Sequence, residues 1–165
     1  MEIPVLDECK NVCFRGDPVH SVYSDMMIDN SYTCIQLYDD THGWNDNVDT
    51  LFPKTRHFIE KKFDKALRQS FFATMFGPKF IAPHRNKDSN VTTLRYQLGV
   101  IVHESCDGTL KTKSQCHKWQ YGKSVVFNTA SVHSVHKTSD FQRTVLVVDF
   151  DPSFIDDDDL MSTLI

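Results

Sequence analysis

Residues 94–102 have the sequence Leu-Arg-Tyr-Gln-Leu-Gly-Val-Ile-Val, an apolar run with the length and composition of a buried β-strand. Two further strand patterns follow, at 124–127 and, directly after Arg143, at 144–150. Turn signals separate the runs, such as Asp107-Gly108-Thr109 before a short strand at 109–113. Closely spaced strands with one clear helix pattern favour an antiparallel sandwich or jelly roll, mainly β with one or two supporting helices.

The rest of the chain is expected to support this β core within a single domain over 1–165. The N-terminal part is irregular in pattern, apart from a weakly alternating strand at 32–38, and would form a lid or an outer layer. The predicted parts are a divergent N-terminal layer (1–50), an amphipathic helix (55–69), the β core (70–152) and an acidic tail (153–165) that is solvated or disordered.

The composition argues against several classes of function. The net charge of −4 gives no reason to expect nucleic-acid binding, which needs a concentrated basic surface. No apolar run approaches the roughly 20 residues that span a bilayer, and the acidic N-terminus lacks the pattern of a signal peptide. The cysteine count of five is odd, which favours reduced thiols in a cytoplasmic protein whose oligomeric state stays open.

Two histidines that are far apart in the sequence are candidate metal ligands. His84 follows Pro83 at the end of a strand, where its side chain can face a cavity, and His133 lies 49 residues later. In a jelly roll, strands distant in sequence lie side by side, and imidazole binds iron, zinc and copper. Alternation along 133–136 places only one of His133 and His136 on the inner face, together with Val135. The alternative is that each is an ordinary surface or core histidine.

Two arginines on predicted strands indicate an anionic ligand beside these histidines. Arg143 precedes a strongly apolar strand, and Arg95 lies within another. An arginine that points into a barrel needs an anionic partner, and a ligand carboxylate can pair with its guanidinium in bidentate fashion. The alternative is that both arginines are structural and form ion pairs with Asp149 or Glu104.

These residues, in this order, resemble the aspartyl/asparaginyl β-hydroxylases, a family of iron- and 2-oxoglutarate-dependent oxygenases with a double-stranded β-helix, the cupin-like form of the jelly roll. The resemblance covers roughly 66–152, about half of the chain, and it keeps the spacing of ten between His133 and Arg143. No single piece is specific, but together they are: Gly77-Pro78, Ile81-Ala82-Pro83-His84, Asn90, residues 94–100, Trp119-Gln120-Tyr121-Gly122-Lys123, residues 127–133, residues 143–146 and Asp149-Phe150-Asp151-Pro152.

The resemblance implies a role for each matched residue. His84 and His133 would bind Fe(II), with no catalytic residue beyond this metal site. Arg143 would bind the distal carboxylate of the co-substrate 2-oxoglutarate, and Arg95 lies where the family has an arginine in the co-substrate and substrate region. The turn residues Trp119 and Gly122 would do no chemistry.

The sequence also departs from the family pattern. Gln97 replaces a histidine next to the co-substrate, although its amide can still donate a hydrogen bond, and Thr74 would take the place of a co-substrate serine. Asn86 stands where the usual triad of two histidines and one carboxylate has its acid, which fits the family members that lack the acid. Asp88 is an outside candidate for a third ligand.

The resemblance therefore implies a dioxygenase that uses Fe(II), 2-oxoglutarate and O2 to hydroxylate an aspartyl, asparaginyl or related amino-acid substrate, or an acyl chain. Its substrate would be a small molecule, a peptide or a protein. Two alternatives remain: a non-catalytic cupin-like module that holds a carboxylate, and a cupin enzyme with zinc or another metal, such as an isomerase or a hydrolase.

Overall fold

The computed structural model describes residues 3–12, 14, 31–86 and 93–165. Within these residues, ten strands form two antiparallel sheets and four short α-helices lie outside them. The chain is therefore mainly β, and its two facing sheets have the jelly-roll arrangement predicted from the sequence.

The larger sheet contains six of the described strands, in the order β2-β1-β3-β10-β5-β8. The smaller sheet contains the other four, in the order β4-β9-β6-β7. The strands are β1 (Tyr32–Asp39), β2 (Gly43–Trp44), β3 (Leu67–Met75), β4 (Lys79–His84), β5 (Leu94–Val102), β6 (Thr109–Thr112), β7 (Cys116–Lys118), β8 (Ser124–Phe127), β9 (His133–Lys137) and β10 (Arg143–Phe150). The helices are α1 (Ile3–Cys9), α2 (Val48–Leu51), α3 (Pro53–Phe63) and α4 (Asp158–Met161).

Strand β10 is apolar along nearly its whole length because it lies at the centre of the larger sheet and is buried on both faces. Its even-numbered residues, such as Leu146 and Val148, pack with the helices in one core. Its odd-numbered residues, such as Val145 and Val147, pack with the smaller sheet in a second core. Residues 143, 145, 147 and 149 therefore point into the space between the sheets, and the site lies there.

The helix predicted at 55–69 is wrong at both ends. It begins at Pro53, whose ring suits the first helical turn, and it ends at Phe63 because Asp64 has a φ of 39°. A short 3₁₀ turn follows, and Leu67 already begins β3. Apolar residues at 67 and 71 fit a helix and a strand equally well, which explains the error. No helix among the described residues has the length and apolarity to cross a membrane.

The N-terminal and C-terminal parts contribute more to the fold than predicted. Strand β1 was expected in an outer layer, but it pairs with β3 inside the larger sheet. The acidic tail is ordered: Asp157 caps α4 by accepting from the Leu160 N–H, and the Leu160 side chain is buried. Ile165 also bonds to β8 through Val126.

Gly99 in β5 allows the turn 119–123 to lie directly against the larger sheet. The Gly99 N–H donates to the carbonyl of Lys123, and the Gly122 N–H donates to the carbonyl of Gly99. Gly122 has a φ of 73°, a left-handed conformation that glycine adopts without a Cβ clash. Any Cβ at position 99 would overlap with the carbonyl oxygen of Gln120.

We therefore expect Gly99→Ala to lower the free energy of unfolding by about 1–3 kcal/mol, the usual cost of overpacking. Urea denaturation followed by circular dichroism measures this change. Gly77→Ala is the matched control, because a Cβ at Gly77 meets no atom within 4 Å. Equal midpoints for the two variants would contradict the close approach at Gly99.

Candidate active site

A cavity of about 340 Å³ lies between the two sheets. It brings together five of the residues predicted from the sequence, namely His84, His133, Arg95, Gln97 and Arg143, with Asn86 beside them. No acidic side chain is among the described residues that line it, and the other lining residues are Tyr32, Met75, Ile81, Leu110, Trp119, Phe127 and Val135. Such a lining favours an anionic ligand with apolar contacts.

The two histidines lie opposite each other because strand β4 contains an irregularity. Ile81 pairs with Val135 of β9, and regular antiparallel pairing from there would place Pro83 opposite His133. The register shifts by one residue between Ile81 and His84, so that His84 pairs with His133 instead. Because an extra residue reverses the alternation of side chains, the shift turns His84 toward the cavity. Pro83 is tolerated there because β4 is an edge strand.

The ring centroids of His84 and His133 are 4.3 Å apart. The Nδ1 of His84 is 2.8 Å from the carbonyl oxygen of Ala82, and the Nδ1 of His133 is 2.8 Å from that of Ser131. A carbonyl only accepts, so each Nδ1 is the protonated nitrogen and each Nε2 keeps its lone pair. This is the arrangement that prepares a histidine to bind a metal through Nε2.

Burial lowers the pKa of His133 below its ordinary value, and the nearby charges of His84 and Arg95 act in the same direction. The bond to Ser131 opposes this shift only in part. The lowered pKa keeps the imidazole neutral at physiological pH, which is the form that binds metals. The prediction that His133, rather than His136, shares the inner face with Val135 agrees with their burial: His133 and Val135 are buried and His136 is exposed.

Arg143 is a buried cation without an acidic partner among the described residues. Its side chain is 2% exposed, its Nη2 donates to the carbonyl of Ala73 at 3.4 Å, and its Nε has no hydrogen-bond partner. The guanidinium carbon lies 4.4 Å from the ring centre of Trp119. Burial lowers the pKa of this guanidinium, but an arginine remains charged in a protein. An anionic ligand would compensate the charge.

Arg95 differs from Arg143 because it has a counter-ion. Its Nε and Nη2 donate to the two carboxylate oxygens of Asp149 at 2.7 and 2.8 Å. Burial acts against the charged form, but the charge and hydrogen bonds of Asp149 raise the pKa of Arg95 overall. The structural ion pair left open as an alternative is therefore present for Arg95, although its side chain also lines the cavity.

Gln97 points into the cavity next to Trp119. Its Oε1 accepts a hydrogen bond from the indole Nε1 of Trp119 at 3.0 Å. An indole nitrogen only donates, so the amide oxygen must face Trp119 and the amide nitrogen is left as a donor.

Thr74 is a correction to the predicted site. Its Oγ1 bonds to Oγ1 of Thr144 at 2.8 Å, and it pairs with that residue across β3 and β10. Alternation places both hydroxyls on the helix side of the larger sheet, away from the cavity. Thr74 therefore cannot contact a ligand bound between the sheets. Asp88 lies outside the described residues, and its role as a third ligand stays a prediction.

Sequence reasoning missed two residues of the cavity. Trp119 was assigned to a turn alone, yet it contacts both Arg143 and Gln97. Tyr32 pairs with Met75, which pairs in turn with Arg143, and burial raises the pKa of the Tyr32 hydroxyl to about 12. That hydroxyl is therefore a donor at physiological pH. The weak alternation of β1 could have placed Tyr32 on a strand but not beside Arg143.

A larger groove of about 960 Å³ lies elsewhere, between α3 and the C-terminal segment. Its lining mixes lysines with aspartates, and Lys62 already forms an ion pair with Asp157 at 3.4 Å. It contains none of the residues predicted for the site. The smaller cavity is therefore the candidate active site, because its buried arginine has no acidic partner among the described residues.

The donor set of the cavity fits a metal held by two histidines. Among the residues that the structure describes, no group of three or more histidine, cysteine, aspartate or glutamate side chains could hold a metal ion. Asn86, two residues after His84, lines the same cavity and is a neutral side chain. The ligands available from these residues are thus His84 and His133, with the remaining positions of a metal left to ligands from outside the chain.

Comparisons with known proteins place these observations in context. The family model described as Aspartyl/Asparaginyl beta-hydroxylase matches residues 7–152. The chain is 34% identical over 85 residues to an ornithine lipid ester-linked acyl 2-hydroxylase of Rhizobium tropici, a match that covers 51% of this chain. It spans only 30% of the length of that relative.

Two solved structures are similar at low sequence identity. The DMSP lyase DddQ from Ruegeria pomeroyi is 10% identical with a TM-score of 0.49, over 88% of this chain and 57% of the lyase. The viral collagen prolyl hydroxylase vCPH from Paramecium Bursaria Chlorella virus-1, solved as a 2OG complex, is 11% identical with a TM-score of 0.47. That match covers 73% of this chain and 79% of the hydroxylase.

The geometry of the histidines predicts that His133→Ala abolishes stoichiometric binding of Fe(II) and leaves the fold intact. His136→Ala is the matched control, because His136 lies three residues along the same strand but is exposed. Iron content after anaerobic loading and gel filtration measures the effect, with circular dichroism as the test of folding. Full iron occupancy in a folded His133→Ala variant would rule out the assignment.

Proposed function

The chain belongs to the aspartyl/asparaginyl β-hydroxylase family, and we propose that it is an Fe(II)- and 2-oxoglutarate-dependent dioxygenase that hydroxylates a C–H bond. His84 and His133 would hold the iron, and Arg143 would bind the distal carboxylate of 2-oxoglutarate. When bound there, Fe(II), 2-oxoglutarate and O2 supply the oxidising chemistry.

One observation supports this proposal more than any other. The cavity that contains two histidines with available Nε2 atoms also contains a buried arginine that has no acidic partner among the described residues. A metal site alone needs no buried cation beside it, and a buried cation without a partner is costly. A ligand that chelates a metal and also presents a distant carboxylate accounts for both features.

The chain's own residues bind and orient the reactants. Arg143 lines the cavity and donates from its guanidinium to the distal carboxylate. Gln97 offers its amide nitrogen as a neutral donor. The carboxylate of Asp149 holds the Arg95 side chain in place and pairs with its charge. Arg95 therefore brings a fixed positive charge near His133, and that charge is already paired. The apolar residues Phe127, Leu110 and Val135 limit the entry of water.

The substrate we propose is an aspartyl or asparaginyl side chain, a related amino acid or an acyl chain. The family description supports an amino-acid substrate, and the relative from Rhizobium tropici is named as an acyl 2-hydroxylase. Each of these substrates has a C–H bond near a carbonyl group. Assays with a panel of them show which class of substrate the protein hydroxylates.

A non-catalytic module that holds a small carboxylate is the second candidate. Two observations favour it: Gln97 replaces the family histidine, and no third acidic or histidine side chain joins the pair among the described residues. Such a module would bind dicarboxylates but would not consume 2-oxoglutarate.

Turnover separates the two candidates. Purified protein is given Fe(II), ascorbate, 2-oxoglutarate and O2, with and without the substrate panel, and succinate and CO2 are measured beside His133→Ala. We expect succinate and CO2 from the wild type and none from the variant. Binding of 2-oxoglutarate without any turnover across the panel would favour the binding module.

The role of Arg143 predicts that Arg143→Met raises the 2-oxoglutarate concentration for half-maximal turnover by about tenfold or more, because a charge-assisted contact of ~1.5–3 kcal/mol is lost. The free energy of unfolding of the ligand-free protein should not fall, since methionine removes a buried charge that has no acidic partner among the described residues. Arg56→Met, in α3 and outside the lining of the cavity, is the control. An unchanged 2-oxoglutarate requirement in Arg143→Met would place the co-substrate elsewhere.

A further inference from the structure

Trp119 contacts two ligand-binding side chains at once. Its Nε1–H donates to Gln97 at 3.0 Å, and its ring lies 4.4 Å from the guanidinium carbon of Arg143. The indole is 1% exposed. It is held from behind by Gly108, whose carbonyl accepts from the Trp119 backbone N–H and whose missing side chain leaves room for the ring.

We propose that Trp119 is a positioning residue for the co-substrate: it fixes the Gln97 amide with its nitrogen toward the ligand and seats the Arg143 guanidinium on its ring. This inference rests on the proposed function, because it names the residue that prepares the cavity for a dicarboxylate. It assigns to Trp119 a role beyond the shape of the turn 119–123.

The first part of the proposal follows from the chemistry of the two partners. A free glutamine side chain can present either its oxygen or its nitrogen to a ligand, and only the nitrogen attracts a carboxylate. Because the indole donates and never accepts, it binds the oxygen and leaves the nitrogen for the cavity. Gln97 lines the cavity, so this nitrogen can donate to a ligand there.

The second part follows from the position of the ring. A guanidinium over an indole is attracted to its π face, and this attraction is stronger where water is excluded. Trp119 also lines a separate cavity of about 340 Å³ with Val102, His103, Glu104, Gln120, Tyr121 and Lys123. The indole is almost fully buried and lies against the guanidinium, so it helps to keep water away from that charge.

Trp119→Phe tests the proposal, because it keeps an aromatic face and removes only the donor. We expect 2-oxoglutarate to bind about three- to tenfold more weakly, the usual effect of one lost neutral hydrogen bond. Isothermal titration of the Fe(II) protein under argon measures the affinity. The stoichiometry of Fe(II) should stay unchanged, because the substitution leaves the proposed ligands His84 and His133 in place. Trp44→Phe, which changes the other tryptophan of the chain in β2, should bind 2-oxoglutarate as the wild type does.

A double-mutant cycle with Gln97→Met separates positioning from a merely structural role. If Trp119 acts through Gln97, adding Trp119→Phe to Gln97→Met should not weaken 2-oxoglutarate binding further, because the amide that the indole positions is already absent. The effects of the two substitutions on binding are then not additive. If Trp119 only supports the turn, each substitution weakens binding independently and the effects add.

The indole N–H signals of the two tryptophans in an NMR spectrum give a readout that does not depend on enzyme activity. In the ligand-free wild type, the Trp119 N–H should exchange slowly with solvent and should exchange faster in Gln97→Met.

Gln97→Glu provides a test that does not depend on the folding of Trp119→Phe: it keeps an oxygen for the indole but turns a carboxylate toward the ligand. We expect slow exchange of the Trp119 N–H in that variant and 2-oxoglutarate binding weakened by about tenfold or more, because two carboxylates repel each other.

The outcomes distinguish this inference from the proposed function. If the wild type binds 2-oxoglutarate and Trp119→Phe binds it equally well, or if the cycle is additive, the inference is wrong and the proposed function stands. If the wild type binds no 2-oxoglutarate, the proposed function is wrong and the inference falls with it.

Discussion

A buried positive charge that has no acidic partner in the described part of the chain is the constraint around which the cavity is built. Arg143 begins the central strand β10 and points between the sheets because the alternation of that strand leaves it no other direction. Its surroundings offer a carbonyl oxygen, an aromatic face and the Tyr32 hydroxyl, all of which stabilise a cation less than a carboxylate does. Asp149 shows that the same strand can supply an acid, since it pairs with Arg95. The absence of such an acid beside Arg143, among the described residues, reserves its charge for a ligand.

The two histidines depend on a local defect in the smaller sheet rather than on regular pairing. The one-residue shift in β4 brings His84 opposite His133, and the carbonyls of Ala82 and Ser131 then fix the tautomer of each ring. In both cases the acceptor lies two residues before the histidine. Each histidine ring is therefore oriented by a backbone carbonyl that is close to it in the sequence.

The sequence was sufficient for the features that depend on periodicity. Three features follow from alternation along strands: the jelly roll, the inward direction of His133, and the pairing of Arg95 with Asp149, which was one of two alternatives. It was insufficient where long-range contacts decide. Residues 67 and 71 fit two periods, so the end of α3 was misplaced, and the cap made by Asp157 was hidden in a run of like charges. Thr74 was assigned by proximity to a family serine, but its position on the strand directs it to the helix side. Asp88 stays untested.

Gly99 and Trp119 show how residues that do no chemistry can arrange the side chains of the cavity. The turn 119–123 can lie against β5 only because position 99 has no side chain, and two backbone hydrogen bonds hold it there. That contact fixes the depth at which the indole enters the cavity, and the indole in turn orients Gln97 and supports Arg143. We therefore expect a methyl group at position 99 to shift the turn and, through the indole, the Gln97 amide and the Arg143 guanidinium. A guanidinium is common to many sites that bind carboxylates, whereas the indole that packs on it here is placed by a turn that needs a glycine 20 residues earlier in the sequence.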